Sequence, residues 1–448
     1  MSAEVTVTGF GVRTAFGTGA EALRRGVFAG VPSFAPTTRF DTGPYRTAMA
    51  AAAPDGPDAV EDWALRHALA QCGAEALDMA GLRPGTEAAV LLGVAGDHTS
   101  VTRYWRTAAE SSSPTPLPDG PDGPGDPNGP GGADAPGGPG SADGSNGPGG
   151  ADGPSGRNGT DGTDGTDGTY GTKDRYADAV PAHLAELLAG GLRLTGPRLT
   201  FTNACVASAA AIIHACRLIS SGRIDTAVCA GGYLVEEETF GKFDSGRALS
   251  RDGMVRPFSA DRSGLLLGDG VAAVVLESAE HARRRGARPL TTIAGWGAAT
   301  DAHHIAQPHP EGAGLARAAR QALRLAGDPD GASLGYVNAH GTGTKYNDGA
   351  ETRGLRAAFP EHAESIPVSS TKSTTGHLLE AAGVVEFVIT MLALMDGVLP
   401  PTAGYGRPDP ECDLDYVPNQ PRQADPRRAL NINAAFGGAN TALVLERP

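Results

Sequence analysis

The sequence predicts an α/β protein built from two related halves, and three observations lead to this fold class. Short β-branched strands that end in glycine recur, because the phrase at Val5–Gly11 is echoed at Thr291–Gly297 and residues 227–232 are echoed at 432–438. Strands alternate with helical segments, which favours βαβ units and a largely parallel sheet covered by helices. The 64 glycines and the low aromatic content suit close packing of small side chains. We expect the halves to meet near residue 285.

Apolar side chains at helical spacing predict four helices along the chain. These are Trp63–Met79, Ala207–Ser220, Gly314–Leu325 and Leu378–Met395. Two β-branched or apolar runs, Leu199–Thr202 and Leu334–Asn338, read as strands that deliver the motifs described below.

The segment from Ser111 to Thr172 differs from the rest of the chain. It is dominated by Gly, Pro, Asp, Ser and Asn, and its nine Asp and one Arg give a net charge of −8. Few of its side chains could offset an ordering cost of roughly 1–2 kcal/mol per residue, so a disordered insertion is predicted. The Asp-Gly-Thr repeat at 161–169 lacks the spacing of known calcium loops, which disfavours a metal site there.

Charge and cysteine content exclude several classes of protein. The 51 acidic residues outweigh 37 Lys and Arg, and a net charge of −14 argues against a nucleic-acid partner. Five cysteines without close pairing argue against a disulfide framework and a zinc site. Neither a signal peptide nor an apolar stretch long enough to span a bilayer is visible, so we expect a cytoplasmic protein.

Cys205 is the strongest candidate for a catalytic nucleophile. It lies in the segment Asn203–Ser208, between the strand Leu199–Thr202 and the helix that begins at Ala207. A helix N-terminus stabilises a thiolate through its dipole and free amides. A lone cysteine is equally well an inert core residue, a reading that suits Cys216 and Cys229 better because they lie on apolar faces.

Two glycine-flanked histidine motifs follow the cysteine. His340 lies in Asn338–Thr344, where threonines at alternate positions offer hydroxyl groups to a polar ligand. His377 follows Lys372 in Ser370–His377; alone, such a segment could be a surface loop. A cysteine with two available histidines is typical of nucleophilic catalysis with acid–base partners.

Together these motifs resemble those of the elongating β-ketoacyl-acyl carrier protein synthases, the ketosynthases of fatty acid and polyketide assembly. The resemblance covers nearly the whole chain except the insertion at 111–172. It implies a thiolase-like α/β fold with two pseudo-symmetric βαβαβ-type halves in five layers, α/β/α/β/α. Residues 1–284 would carry Cys205, and residues 285–448 would carry both histidines.

The resemblance also implies roles for individual residues. Cys205 would accept the acyl chain, His340 and His377 would assist decarboxylation of a malonyl group, and Lys372 would fix the histidine geometry. Glu351 and Asp269 would be the carboxylates that complete this buried network. Thr342 and Thr344 would bind the pantetheine amides. Val206 and Ala207 replace the hydroxyl residues frequent after the cysteine in this family.

The segment Asn433–Asn440 matches the glycine-rich motif near the C-terminus of the family. By this likeness Phe436 is the gating residue, its amide and that of Cys205 form an oxyanion hole, and Gly437 and Gly438 contact substrate. Ala434 and Ala435 stand where the family has phenylalanine and glycine. We expect these two changes to alter gate opening and acyl selection.

The implied function is a β-ketoacyl-acyl carrier protein synthase that condenses an acyl thioester with malonyl thioester, without metal or organic cofactor. Its partners would be acyl carrier protein and a second ketosynthase-like subunit, identical or different. Basic residues that could meet the acidic face of the carrier are Arg217, Arg247, Arg251, Arg256 and Arg262. Specialised polyketide or lipid synthesis is favoured over primary metabolism by the unusual gate motif and the insertion.

Other functions known for similar sequences fit these residues less well. A thiolase needs a second cysteine where Ala434 and Ala435 stand, and an initiating synthase carries asparagine in place of His377. An acyltransferase acting on an alcohol or amine would keep the cysteine but would not need both histidines and Lys372. A non-catalytic partner subunit usually lacks the cysteine.

Overall fold

A computed structural model describes residues 3–53, 64–102, 105 and 175–448 of the chain. The predicted insertion at 111–172 therefore lies outside the described residues. Ten principal strands, labelled β1 to β10 in chain order, form one sheet together with the short strand Gly17–Thr18. The strands are β1 Val5–Thr14, β2 Ala89–Gly93, β3 Arg198–Phe201, β4 Thr226–Tyr233, β5 Gly270–Ser278, β6 Thr291–Thr300, β7 Leu334–Asn338, β8 Val368–Ser369, β9 Arg428–Ala434 and β10 Ala439–Glu446.

The sheet consists of two half-sheets with the same strand pattern. From the centre outward, one half runs β1-β5-β4-β2-β3 and the other runs β6-β10-β9-β7-β8. In each half the two inner pairings are antiparallel and the two outer pairings are parallel. The sequence echoes fall on equivalent strands, β1 with β6 and β4 with β9, which confirms the predicted pseudo-symmetric halves.

Seven principal helices, labelled α1 to α7, cover and separate the half-sheets. They are α1 Leu65–Ala80, α2 Pro181–Gly191, α3 Ala207–Ser220, α4 Glu237–Ser245, α5 Ala313–Leu325, α6 Lys345–Ala358 and α7 Ala382–Asp396. Helices α1 and α2 pack on the first half-sheet, and α5 packs on the second and on α6. Helices α3 and α7 pack on each other and on strands of both halves, which gives the α/β/α/β/α layering that the resemblance implies.

Short elements complete the described structure. Two small hairpins pair Ala35–Pro36 with Met49–Ala50 and Val398–Leu399 with Arg422–Gln423. Three short α-helices and a π-helical turn are Gly19–Leu23, Ala279–Arg284, Lys372–Thr375 and Arg24–Phe28. The 3-10 turns are Tyr176–Ala179, Ala204–Val206, Leu379–Ala381 and Phe436–Gly438.

Two expectations about the elements need correction. The sheet is mixed rather than largely parallel, because β9 turns directly into β10 through Ala435–Gly438, and so short a connection can join only antiparallel strands. The predicted helix from Leu378 begins instead as the 3-10 turn Leu379–Ala381, in which Leu379 has a φ of 44°, and continues as α7.

The helices predicted at Ala207–Ser220 and Gly314–Leu325 and the strands predicted at Leu199–Thr202 and Leu334–Asn338 are confirmed to within two residues. The helix predicted at Trp63–Met79 is confirmed as Leu65–Ala80, and Trp63 lies outside the described residues. The strands predicted at Val5–Gly11 and Thr291–Gly297 continue for three more residues, and the strand predicted at 432–438 is Arg428–Ala434. The division of the chain into residues 1–284 and 285–448 stays a prediction. Among the described residues, no helix is long and apolar enough to cross a membrane.

Candidate active site

Cys205 lies at the turn that joins β3 to α3. It is the middle residue of the 3-10 turn Ala204–Val206, two residues before the start of α3, and it is buried, with 6% exposure. The preceding residue, Ala204, has a φ of 53°, a left-handed conformation that non-glycine residues seldom adopt. Such local strain is often found where a chain must aim a reactive side chain, and here it projects the thiol from the end of the strand.

The protonation state of this thiol differs from the sequence-based expectation. The helix start predicts a stabilised thiolate, but burial, followed by the nearby Glu380 carboxylate, raises the pKa of Cys205 to about 12. The Lys372 ammonium acts in the opposite direction and does not outweigh them. Cys205 is therefore a neutral thiol at pH 7, and a base would have to take its proton before it could act as a nucleophile.

His377 is positioned to be that base. Its Nε2 lies 3.1 Å from the Sγ of Cys205, and its backbone is held by hydrogen bonds to Leu266 and from Gly268. Burial and then the Lys372 charge lower the pKa of His377 well below its usual value. The imidazole is consequently neutral at pH 7 and has a free lone pair for the thiol proton.

His340 completes the cluster of reactive groups. Its ring meets that of His377 edge to face, with the ring centres 5.3 Å apart. Burial, Lys372 and His377 all lower the pKa of His340, so two neutral imidazoles share the site with the thiol. The Nδ1 atoms of both histidines are buried without a hydrogen-bond partner among the described residues, which leaves them available to a ligand or to water.

Lys372 has a partner that the sequence reasoning missed. Its Nζ lies 2.5 Å from Oε1 of Glu386 on α7, and Nδ2 of Asn433 donates to the other oxygen of the same carboxylate over 2.6 Å. All three side chains are buried. A single acidic residue inside the apolar run 384–394 was the available signal, because a buried charge requires a partner.

Glu351 supports the His340 loop rather than contacting Lys372. Its two oxygens accept hydrogen bonds from the backbone amides of His340 and Gly341, each over 2.7 Å. Burial is the main reason that the pKa of Glu351 rises to about 7, and the Lys372 charge opposes this rise. Glu351 thus belongs to the buried network, and it does so by accepting a hydrogen bond from the His340 amide, a contact that the sequence did not predict.

Asp269, by contrast, lies outside the catalytic network. Its carboxylate pairs with the Arg39 guanidinium and accepts hydrogen bonds from the amides of Ala53 and Val235, both over 2.7 Å. The adjacent Gly268 donates to the His377 carbonyl, whereas among the described residues no hydrogen bond or ion pair joins the Asp269 carboxylate to His377 or Lys372. The expectation for Asp269 is therefore corrected to a structural anchor behind the loop that holds His377.

A cavity of about 500 Å³ leads from the reactive cluster to the surface. Cys205, His340 and His377 lie among its lining residues, as do Thr342 and Thr344, whose hydroxyl groups are 2.8 Å apart. The histidine loop thus directs both threonine hydroxyls toward the space that leads to the thiol, as the alternate spacing predicts.

The gate segment closes one side of this cavity. Phe436 is 53% exposed and stacks on Phe243 of α4, with ring centres 5.7 Å apart. Ala435 adopts extended backbone, with a φ of −138°, so the absence of glycine there causes no strain in this conformation. Gly437 and Gly438 do have positive φ, 81° in both cases, and they allow the tight return into β10.

Comparisons with known proteins agree with this fold. The chain matches the family described as "Beta-ketoacyl synthase, C-terminal domain" at residues 290–406 and "Beta-ketoacyl synthase, N-terminal domain" at residues 157–282. A "Putative polyketide beta-ketoacyl synthase 1" from Streptomyces halstedii is 41% identical over 276 residues, which are 60% of this chain and 65% of that protein. A "3-oxoacyl-[acyl-carrier-protein] synthase 2" from Synechocystis sp. is 39% identical over 60% of this chain and 67% of its own length.

Solved structures extend the likeness to the whole fold. The structure described as "The ishigamide ketosynthase/chain length factor" superposes with a TM-score of 0.80 at 28% identity, over 100% of both chains. A β-ketoacyl synthase from Burkholderia phymatum gives a TM-score of 0.79 at 26% identity, again over 100% of both chains. A thiolase-like fold with a buried Cys-His-His cluster thus defines the class. The chain belongs to the β-ketoacyl synthase family, although it spans only about 65% of the length of the first curated relative described above.

Proposed function

We propose that the protein is an acyltransferase of the β-ketoacyl-acyl carrier protein synthase type, which catalyses decarboxylative Claisen condensation. The observation that carries this proposal is the grouping of Cys205, His340 and His377 at the inner end of one cavity, above the Lys372–Glu386 pair. A nucleophile, a proton acceptor and two neutral hydrogen-bonding imidazoles are the groups this reaction requires.

In the first half-reaction the acyl chain moves to the protein. His377 Nε2 takes the proton from Sγ of Cys205, and the thiolate attacks the carbonyl carbon of the acyl thioester. The C–S bond to the carrier breaks, and the carrier thiol leaves with a proton. Amides of Cys205 and Phe436 stabilise the oxyanion in this proposal, since the first amides of a helical turn lack intrahelical partners.

In the second half-reaction a malonyl thioester occupies the cavity. Its bond to the carboxylate breaks, carbon dioxide leaves, and the electron pair forms an enolate whose oxygen accepts hydrogen bonds from His340 and His377. The enolate carbon attacks the acyl thioester on Cys205, so a C–C bond forms, the bond to Sγ breaks, and the released thiolate takes one proton from solvent by way of His377 to restore the thiol. Neutral imidazoles suit this task, and the Lys372 charge helps to keep them neutral.

The substrates would be carried by acyl carrier protein, as they are in the names of two relatives, both 3-oxoacyl-[acyl-carrier-protein] synthases. Of the five arginines considered for the carrier's acidic face, Arg262 is buried in an ion pair with Asp409, and Arg256 is paired with Asp252. Arg217, Arg247 and Arg251 are exposed and stay candidates, and Arg247 also lines the cavity.

A second ketosynthase-like subunit is the other proposed partner. The outer edge of β3 ends the sheet, and an edge strand can pair with another chain. One structural relative is the ishigamide ketosynthase/chain length factor, and a relative from Streptomyces glaucescens is the ketoacyl synthase alpha subunit of the tetracenomycin polyketide synthase. We favour polyketide synthesis and a dimer, whether of identical or of different subunits.

The reaction we propose needs no metal or organic cofactor, because the thioester and the β-carboxylate supply the reactivity. We place the protein in the cytoplasm. Its five cysteines are unpaired, which suits a reducing compartment.

Intact-protein mass spectrometry after mixing with acyl-carrier protein tests the first half-reaction. We expect one acyl adduct on the wild type and none on Cys205→Ala. An adduct that never consumes malonyl-carrier protein would favour acyl transfer to another acceptor. A wild type that takes no adduct from any acyl donor would favour a non-catalytic subunit.

A further inference from the structure

A groove at the surface of the second half carries a cluster of arginines. It lies between α5 and the end of β6 and has a volume of about 370 Å³. Its lining residues are Ala298, Ala299, Arg317, Arg320, Gln321 and Arg324. The three arginines are three and four residues apart, so they share one face of α5, here called the arginine face. The groove is separate from the active-site cavity, since the two have no lining residue in common.

The charge of the arginine face is not compensated. All three arginines are exposed, and none of them forms an ion pair within the part of the chain that the structure describes. No Asp or Glu is among the described residues that line the groove, although the whole chain has a net charge of −14. Three like charges on adjacent turns of one helix repel one another. The groove therefore favours an anionic occupant.

Backbone carbonyls hold two of the three guanidinium groups in place. Nη2 of Arg317 donates to the carbonyl of Thr300 over 2.6 Å, and Nη2 of Arg320 donates to the carbonyl of Ala357. A guanidinium has five N–H donors, so each of these two keeps further donors for a ligand. Because the groups are already oriented, they lose less conformational entropy when they bind a carboxylate.

The same chain contains a strongly acidic segment, residues 111–172. Its nine Asp and one Arg give a net charge of −8, which is more than half of the net charge of the whole chain. It lies outside the described residues, between Trp105 and Arg175, which the structure does describe. Roughly 70 residues separate these two, and a chain of that length spans at most about 230 Å. Length alone therefore allows the middle of the segment to reach any point on a domain roughly 55 Å across.

We infer that the acidic segment at 111–172 docks on the arginine face of α5 in the same chain. Its carboxylates complement the guanidinium groups in charge and in hydrogen bonding, since a guanidinium matches the geometry of a carboxylate. The covalent connection holds the segment at a high effective concentration, which favours it over a separate acidic molecule. Exposed ion pairs are individually weak, so the contact should involve several Asp and should weaken as salt is added.

Zero-length crosslinking of the full chain tests this contact. The variant Arg317→Lys/Arg320→Lys/Arg324→Lys keeps the charge of the arginine face and supplies amines, which a carbodiimide couples to carboxylates in direct contact. We expect mass spectrometry to find amide links from these three positions to Asp residues of 111–172 at low salt, and about tenfold fewer at about 1 M salt. A mixture of ¹⁵N-labelled and unlabelled protein separates links within one chain from links between two copies.

Arg223→Lys is the matched control for crosslinking. Arg223 is an exposed arginine outside the groove, and no ion pair involves it among the described residues. This variant should give no links to 111–172. The inference is overturned if the triple variant gives no more links to 111–172 than the control, or if its links to the segment join only different copies.

Limited proteolysis tests the contact with the native arginines. Arg157 is the only Lys or Arg within 111–172, so trypsin can cut the acidic segment there alone. Docking should slow this cleavage, and the loss of three exposed ion pairs in Arg317→Gln/Arg320→Gln/Arg324→Gln should accelerate it by roughly tenfold at low salt. Arg223→Gln should cleave at the wild-type rate. Equal cleavage rates in all three proteins would contradict the contact.

Discussion

At the scale of single residues, the protonation state of Cys205 determines how its thiol can react. Burial keeps the thiol neutral, so reactivity toward an external alkylating agent must depend on the small thiolate fraction. A cysteine whose thiolate is stabilised by a helix would behave differently, because its reactivity would already be maximal at neutral pH.

We predict that iodoacetamide alkylation of Cys205 accelerates by about tenfold per pH unit up to at least pH 9, without reaching a plateau. The rate is followed by mass spectrometry, with Cys205→Ala reporting background labelling of the other four buried cysteines. A plateau near pH 7 would contradict the neutral resting thiol.

The buried Lys372–Glu386 pair gives a second residue-scale prediction. Lys372→Met or Glu386→Gln alone leaves one buried charge without its partner, and each should lower the free energy of unfolding by about 3–5 kcal/mol. The double variant should lose clearly less than the sum, because no unpaired charge remains while the new amide still accepts from Asn433. Denaturant unfolding of all four proteins measures this coupling, and strictly additive losses would contradict it.

At the scale of elements, the short helix Lys372–Thr375 depends on the glycine that ends it. Gly376 has a φ of 71°, and an added Cβ would lie 2.9 Å from the Leu266 carbonyl oxygen. Gly222 has the same φ but open space around it, which makes it a matched control.

Gly222→Ala should lower the free energy of unfolding by about 1–2 kcal/mol, the cost of a positive φ for alanine. Gly376→Ala should lower it by more, because the ψ of −176° at Gly376 completes a backbone conformation that essentially only glycine adopts. Only Gly376→Ala should also slow acylation of Cys205, because the contact with Leu266 displaces the backbone next to His377. Unfolding and acylation rates are compared for the two variants, and equal acylation rates would show that Gly376 does not position the histidine.

Helix α6 contributes two buried carboxyl groups with raised pKa values. Burial raises the pKa of Asp348 to about 6 and that of Glu351 to about 7. At pH values between the ordinary and the raised pKa values, the folded state binds more protons than the unfolded state. The contribution of these two groups to stability therefore falls as pH rises from about 4 to about 7. The lowered pKa values of His340 and His377 act in the opposite direction in both proteins, so the prediction concerns the difference between them. As pH rises from 5 to 7.5, the free energy of unfolding of Asp348→Asn/Glu351→Gln should rise relative to that of the wild type. A difference that stays constant over this pH range would contradict the shifts.

The elements also show why sequence reasoning succeeded in some places and not in others. Helix Ala207–Ser220 was predictable to the residue because its apolar periodicity and its glycine-free interior are local signals. The ion pair between Lys372 and Glu386 was not predictable, because the two residues lie in different helices and their contact depends on how α7 packs. The role predicted for Asp269 was wrong for the same reason. Asp269 is two residues from Leu267, which forms a β-bridge with His377, but only the fold determines which groups its side chain contacts.

At the scale of the whole molecule, the two halves assemble one site from opposite sides. The first half supplies Cys205 at the start of α3, and the second supplies both histidines, Lys372 and the gate segment. The repeated strand order places these contributions at equivalent ends of the half-sheets, next to the paired helices α3 and α7. The pseudo-symmetry was visible in the repeated glycine-ended strands, whereas the mixed strand directions were not, because they depend on connection lengths.

The most direct test of the central claim is a single turnover of purified, acylated protein with malonyl-carrier protein, followed by mass spectrometry of the carrier. The account predicts that the carrier gains the acyl group and loses one carbon dioxide while the adduct on Cys205 disappears. An adduct on Cys205 that persists while the malonyl-carrier protein stays unchanged, with every candidate partner subunit added, would contradict decarboxylative condensation at this site.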